Sequence, residues 1–147
     1  MRADLHIHTY YSDGKYTPQE IARRAAQAGM ELISMTDHDS LEGLEEKRAA
    51  AREERLAYIA GWEVSSYVEG ARVHVLGYGC KPCASYRAFL QARMEGALVR
   101  ARDMIKKGNE RFGLCVTLED AERLHPKKGA PLHTMHVVSA FAQKLGV

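Results

Sequence analysis

The sequence of 147 residues carries 21 Lys and Arg against 19 Asp and Glu, with 7 His and 3 Cys, for a formal net charge of +2. At this length roughly 70% of the unfolded surface can be buried, so no disulfide framework is needed, and no stretch nears the ~18 apolar residues of a membrane span. With no charged-then-apolar leader at its start, the chain reads as one soluble domain, or part of one, in a reducing, cytoplasmic setting.

Residues 1–8 read as a short strand ending in His-x-His. Alternation would turn Ala3, Leu5 and Ile7 to one face and Asp4, His6 and His8 to the other, placing two imidazoles side by side. Imidazole is a common transition-metal ligand, although a pair of surface histidines on an edge strand has the same pattern. The polar turn Tyr11-Ser12-Asp13-Gly14 follows. Thr17-Pro18-Gln19-Glu20 then opens a helix, with Thr at the N-cap, Pro at the first helical position and Glu three residues after the cap. Ile21, Ala25 and Ala28 supply its apolar face, and Gly29 closes it. Residues 31–36 form a buried strand that runs into Asp37-His38-Asp39-Ser40, and Ser40 can cap a charged helix to about Arg55, with Leu41, Leu44 and Ala51 on its buried side. This strand and helix rhythm is that of a parallel sheet, whose functional groups gather at the carboxyl ends of strands.

A third strand over residues 56–64 is apolar until it presents Glu63, and a turn at Glu69-Gly70 leads to a fourth over residues 72–78, with His74 facing away from Val73 and Val75. A Glu in such a strand is rarely buried without a partner, which points to a metal or another cation beside it. Residues 1–80 hold nine Lys and Arg against thirteen Asp and Glu, net −4, whereas residues 81–147 hold twelve against six, net +6. An acidic, His-bearing part suits cations, and a basic part suits an anionic ligand.

Pro82 opens a long helical run to about Phe112, where Tyr86, Phe89, Leu90, Met94, Leu98, Ala101, Met104 and Ile105 recur at steps of three and four. Arg93, Arg100 and Lys107 fall seven apart on one border of that stripe, where basic side chains cover packed surface or contact substrate phosphate. Thr117 caps a short helix over residues 118–124, and residues 136–145 form another ending at Gly146. Cys80-Lys81-Pro82-Cys83 reads as two reduced thiols at a loop, and Cys115, between Leu114 and Val116, reads as core.

The ordered set His6-x-His8-Thr9, Ser12-Asp13-Gly14, Thr36-Asp37-His38-Asp39, Gly61-x-Glu63 and His74-x-Leu76-x-Tyr78 closely resembles the PHP family, the polymerase and histidinol phosphatase type of metal-dependent phosphoesterase. The resemblance covers residues 1–80 and implies an α/β fold, a partial distorted (β/α)7 barrel, with two or three divalent ions of Mn, Fe or Zn at the carboxyl ends of its strands. By matching positions, His6, His8 and Glu63 would hold one ion, Glu63 and His74 a second with Glu63 bridging, and Asp13 and His38 a third. Asp37 and Asp39 would support them by orienting imidazoles. Residues 81–147 resemble the α-helical insertion of the subgroup that acts on nucleoside bisphosphates and short oligonucleotides. Arg93, Arg100 and His136 are its candidate phosphate contacts, although Thr134-Met135 precede His136 where that subgroup has Arg-Pro.

The resemblance implies a small phosphorylated substrate, a nucleotide or short oligonucleotide, cleaved by a metal-bridging hydroxide; histidinol phosphate is the substrate of other branches. The later barrel strands of the family supply a further His and an Asp-x-His pair that this sequence does not contain. The expectation is therefore a fragment, a truncated product, or a protomer completed by another chain or copy. A non-catalytic metal-binding or self-associating module is the alternative.

Overall fold

Strand β1 (Ala3–Ile7) lies parallel to β2 (Leu32–Met35), and β2 lies parallel to β3 (Ala57–Tyr58). Helices α1 (Pro18–Gln27) and α2 (Leu44–Glu53) make the two crossovers of this sheet, whose order is β1-β2-β3. The computed structural model describes residues 1–127 and 132–147. It separates into two compact units, Met1–Tyr86 and Arg87–Val147.

In the first unit the apolar faces of α1 and α2 close over the central strand. Ala22, Ile33, Met35 and Ala51 have no exposed surface, and Ile21, Ala50 and Leu56 pack with them. Burying a side chain of the size of Ile33 or Met35 stabilises by about 1.5–3 kcal/mol. The start of α1 follows the sequence reading: Thr17 Oγ1 accepts from the Glu20 amide, and the Glu20 carboxylate accepts from the Thr17 amide at 2.9 Å. Gly29 takes the left-handed φ of +73° just past the helix, although Ala22, rather than Ala28, completes the buried face.

Three expectations change here. Ala3 and Leu5 are exposed and only Ile7 packs on the core, because β1 is an edge strand with a register shift between Asp4 and Ile7. Ser40 does not cap α2: its hydroxyl accepts from the Glu42 amide, and the N-cap is Gly43 at a φ of +68°. A Cβ at Gly43 would run into the Tyr11 ring, so this glycine serves both the backbone turn and a close approach. The expected third strand is broken. After β3, the chain bends through Ile59 and Ala60 into β4 (Gly61–Val68), which pairs antiparallel with β5 (Ala71–Tyr78). The hairpin turns on Glu69 and Gly70, both with positive φ, as tight two-residue turns require.

Helix α3 (Ala84–Phe112) begins in the first unit, where Tyr86 of the expected stripe is buried; within the second unit its burial falls on Ala101 and Ile105, while Met94 is exposed. These pack with Val116, with Ala121 of α4 (Leu118–Arg123) and with Val137 and Ala140 of α5 (Thr134–Leu145). Asn109 ties the connection down, donating to the Val116 carbonyl at 2.8 Å and accepting from its amide at 2.9 Å. Cys115 is exposed, not core, because this extended stretch alternates and turns Leu114 and Val116 inward instead. Among the described residues no helix is long and apolar enough to cross a membrane.

Candidate metal centre

The β1 bulge sets the first donors. Between Asp4 and Ile7, β1 spends one residue more than β2, and the His6 amide donates to Asp4 Oδ1 at 3.2 Å instead of joining a regular ladder. His6 and His8 remain neighbours, their ring centroids 5.1 Å apart, and each brings Nε2 to 2.8 Å from Glu63 Oε2.

Glu63 reaches them from β4. Its face of the hairpin, Gly61, Glu63 and Ser65, is the buried one, and the register sets Leu76 opposite Glu63 and His74 opposite Ser65. His74 is therefore a diagonal neighbour on the same face, and its Nδ1 meets Glu63 Oε1. His38 arrives from the end of β2. A single parallel bridge joins His38 to Glu63, with the Glu63 amide donating to the Asp37 carbonyl at 3.1 Å and the Asp39 amide donating to the Glu63 carbonyl at 2.7 Å. Asp39 takes a left-handed φ of +47°, and its Oδ1 accepts from the Ser65 amide at 2.8 Å, so it fastens β4 to the β2 end. Glu63 and His74 thus lie inside a hairpin rather than at parallel strand ends.

The loop after β1 is held from below. Asp37 is fully buried; its Oδ1 accepts from the Thr9 amide at 2.7 Å and Ser12 Oγ at 2.6 Å, and its Oδ2 accepts from Thr9 Oγ1 at 2.8 Å and pairs with Lys47 Nζ at 2.5 Å. With the loop fixed, Asp13 Oδ1 sits 3.0 Å from His8 Nδ1 and Asp13 Oδ2 sits 3.6 Å from His38 Nε2.

Three trios result, each with ligand atoms within 4.8 Å of one another: His6, His8 and Glu63; His8, Asp13 and His38; and His38, Glu63 and His74. A buried carboxylate facing four imidazoles is a donor set that fits a Mn, Fe or Zn type ion. A neutral imidazole has only one nitrogen lone pair to give. His8 and His38 each belong to two trios, so each can serve one ion only, and the trio of His8, Asp13 and His38, which shares both its histidines, is the least supplied.

The charges of the metal-free centre are mutually tuned. Burial works against the charged form of His8, but its hydrogen bond to Asp13 and the charges of Asp13, Glu63 and Asp37 outweigh this and raise its pKa. Burial dominates at His38, which is held below the ordinary histidine value. Burial also opposes ionised Glu63, yet the surrounding histidines, His6 first, bring its pKa below the ordinary carboxylate range. His38 is thereby biased toward its neutral, ligand-ready form, whereas His8 is biased toward its protonated form, so an incoming ion competes with a proton there. Metal affinity should rise as pH climbs through the window above the ordinary histidine value of 6.5, with release of that proton, as a titration in weakly buffered solution would show. Affinity independent of pH in this window would exclude His8 as a ligand.

A family model described as the PHP domain matches residues 4–121. The chain belongs to the PHP family. It is 41% identical over 102 residues, 69% of this chain and 36% of the other, to a 3′,5′-nucleoside bisphosphate phosphatase of Chromobacterium violaceum. It is 37% identical over 151 residues, 98% of this chain and 55% of the other, to a phosphoribosyl 1,2-cyclic phosphate 1,2-diphosphodiesterase of Eggerthella lenta. It is also 32% identical to the 5′-3′ exoribonuclease Rnm of Escherichia coli, over 82% of this chain and 42% of that one. Among solved structures, an amidohydrolase from Chromobacterium violaceum with bound sulfate superposes on 100% of this chain with a TM-score of 0.84 and 33% identity. This PHP chain spans about half of that structure, and the described residues form a mixed α/β fold without a closed barrel.

All six ligand candidates of the PHP motifs, His6, His8, Asp13, His38, Glu63 and His74, thus come together in the first unit. Asp37 and Asp39 support the site through the loop and the β4 backbone. The basic candidates lie in the second unit: Arg93 is half-buried and Arg100 exposed on α3. His136 is buried in α5, its Nδ1 accepting from the His133 amide at 3.1 Å and its ring 4.2 Å from that of His125. Lys107 pairs with Asp103 at 2.7 Å. Sequence reasoning missed Lys47. The available signal was a lysine sharing the helical stripe of Ala50 and Ala51, three and four residues on, where an apolar side chain is expected.

Proposed function

We propose that this chain carries the metal-holding part of a phosphoesterase acting on a phosphomonoester or phosphodiester of a nucleotide or short oligonucleotide, with a nucleoside 3′,5′-bisphosphate as the leading substrate. The observation that carries the reading is Glu63, 3% exposed and facing His6, His8, His38 and His74 at once. Divalent ions, when bound, activate water for attack on phosphorus and neutralise charge on the phosphoryl oxygens. His6, His8 and Glu63 would hold one ion, Glu63 and His74 a second, and Asp13 and His38 a third, within part of a distorted (β/α)7 barrel. The two oxygens of Glu63 face different imidazoles, which suits it to join the first two sets. Arg93, Arg100 and His136 would bind substrate phosphate, and the excess of Lys and Arg over residues 81–147 suits an anion.

The test is phosphate or nucleotide release from adenosine 3′,5′-bisphosphate, a short oligoribonucleotide, a ribosyl cyclic phosphate and histidinol phosphate, by Mn-loaded protein. Turnover of the bisphosphate or the oligonucleotide is expected; turnover of histidinol phosphate or the cyclic ester alone would overturn the substrate assignment. The sharing of His8 and His38 between trios favours a second reading, a non-catalytic metal-binding module whose own donors suffice for a single ion. Elemental analysis with solution mass separates the two. Two or three ions per chain in a self-associated form, with turnover, support the enzyme; one ion on an inactive monomer supports the module.

A further inference from the structure

We propose that Lys47 is a positioning residue of the metal centre: as the internal counter-ion of Asp37, it keeps that carboxylate on the Thr9–Ser12 loop and out of the coordination of ions held by His8, Asp13 and His38. The inference rests on the metal-centre reading above.

Lys47 is 1% exposed, in the helical stripe that also buries Ala50 and Ala51. Withdrawing an ammonium from water costs several kcal/mol, and a well-packed apolar residue is often at least as stabilising there. Packing alone therefore gives no reason for a lysine at this position. Asp37 supplies one. It is flanked by His38 in sequence, and its side chain holds the residue next to His8, so it lies beside a centre designed to attract anionic oxygen. Carboxylate oxygen is a good ligand for the same ions. Left without a counter-charge, Asp37 would be drawn towards them, and the Thr9 and Ser12 donors that shape the loop would be released.

The neighbours of Lys47 make the restraint rigid. Its Nζ lies 5.1 Å from the Tyr11 ring centroid, the Tyr11 hydroxyl donates to Glu46 at 2.5 Å, and the Tyr10 hydroxyl donates to Glu46 at 3.1 Å. The first turn of α2 and the loop carrying His8 and Asp13 are thereby one block, with the Lys47–Asp37 pair at its buried end.

Lys47→Met, Asp37→Asn/Lys47→Met and the unsubstituted chain are titrated with Co²⁺ alone, reading both affinity and the visible absorption spectrum. Far-UV circular dichroism and thermal unfolding of the metal-free proteins are recorded alongside. Lys47→Met should weaken Co²⁺ binding by about ten- to a hundredfold and alter the spectrum as another carboxylate approaches the ion. The paired variant removes the charge at 37 but keeps an amide oxygen for the Thr9 donors, and it should return the original spectrum and most of the affinity. Lys47→Met with unchanged affinity and spectrum, whatever its melting temperature, would overturn the proposal. Should that variant not fold, the paired variant carries the test, and an altered spectrum there overturns it. An unsubstituted chain that takes up no Co²⁺ would defeat the metal-centre reading itself.

Discussion

Replacing Glu63 by alanine should abolish metal retention and turnover together. Glu63 contributes to two of the three donor trios, with Oε2 at 2.8 Å from both His6 and His8 and Oε1 against His74, so no single imidazole can compensate for its loss. Outer partners of metal ligands typically account for 10–100-fold in affinity or activity, so loss of a direct, shared donor should exceed about a hundredfold in both. The substitution also removes the carboxylate that His6, His8, His38 and His74 all face, leaving the Asp13 carboxylate beside His8 and His38. The mutual repulsion of the four histidines then grows as pH falls, so metal-free Glu63→Ala should unfold at a higher pH on acid titration than the unsubstituted chain. Elemental analysis and phosphate release check the first effect, and circular dichroism against pH the second. Retained metal and turnover would remove Glu63, and with it the proposed centre, from consideration.

Asp37→Ala should be the most destabilising single change at the site that touches no proposed ligand. Three donors on Thr9 and Ser12 would lose their acceptor, and Lys47 would be a buried charge without its counter-ion. Breaking a buried pair by removing one partner typically costs about 3–5 kcal/mol. Asp39→Ala is the internal control: its Oδ1 accepts from the amide of buried Ser65, a bond of about 1 kcal/mol. Urea unfolding of the two metal-free variants should therefore separate them by at least about 2 kcal/mol. Equal, small losses would show that Asp37 does not hold the loop.

Much of the local structure is legible in the residues themselves. Thr17, Pro18 and Glu20 start α1, Thr117 and Asp120 start α4, and Gly146 ends α5, because caps are set by contacts within a few residues. The same holds for the Glu69-Gly70 turn. Sequence was less informative where distant segments compete for the backbone. The stretch over residues 56–64 is one continuous apolar run, yet it divides because its first part finds β2 and its second part finds β5. Alternation also failed on β1, where an edge position leaves Leu5 uncovered and the bulge departs from strict period two.

The donor inventory follows from sequence alone: His6 and His8 two apart, His38 between two aspartates, and Glu63 and His74 in consecutive strands. Two positions apart, His6 and His8 stay side by side with ring centroids 5.1 Å apart although His8 lies just past the end of β1, and this is a local property. Convergence of the donors is not local. Glu63 meets His6 and His8 across 57 and 55 positions only because Asp39 and the His38 bridge fasten β4 to the end of β2. Asp13 meets His8 and His38 only because Asp37, neutralised by Lys47, fixes the intervening loop. A charge buried in an apolar stripe is visible in the sequence as an anomaly; its partner is chosen by packing, which brings α2 beneath the loop and sets Lys47 against the Asp37 carboxylate.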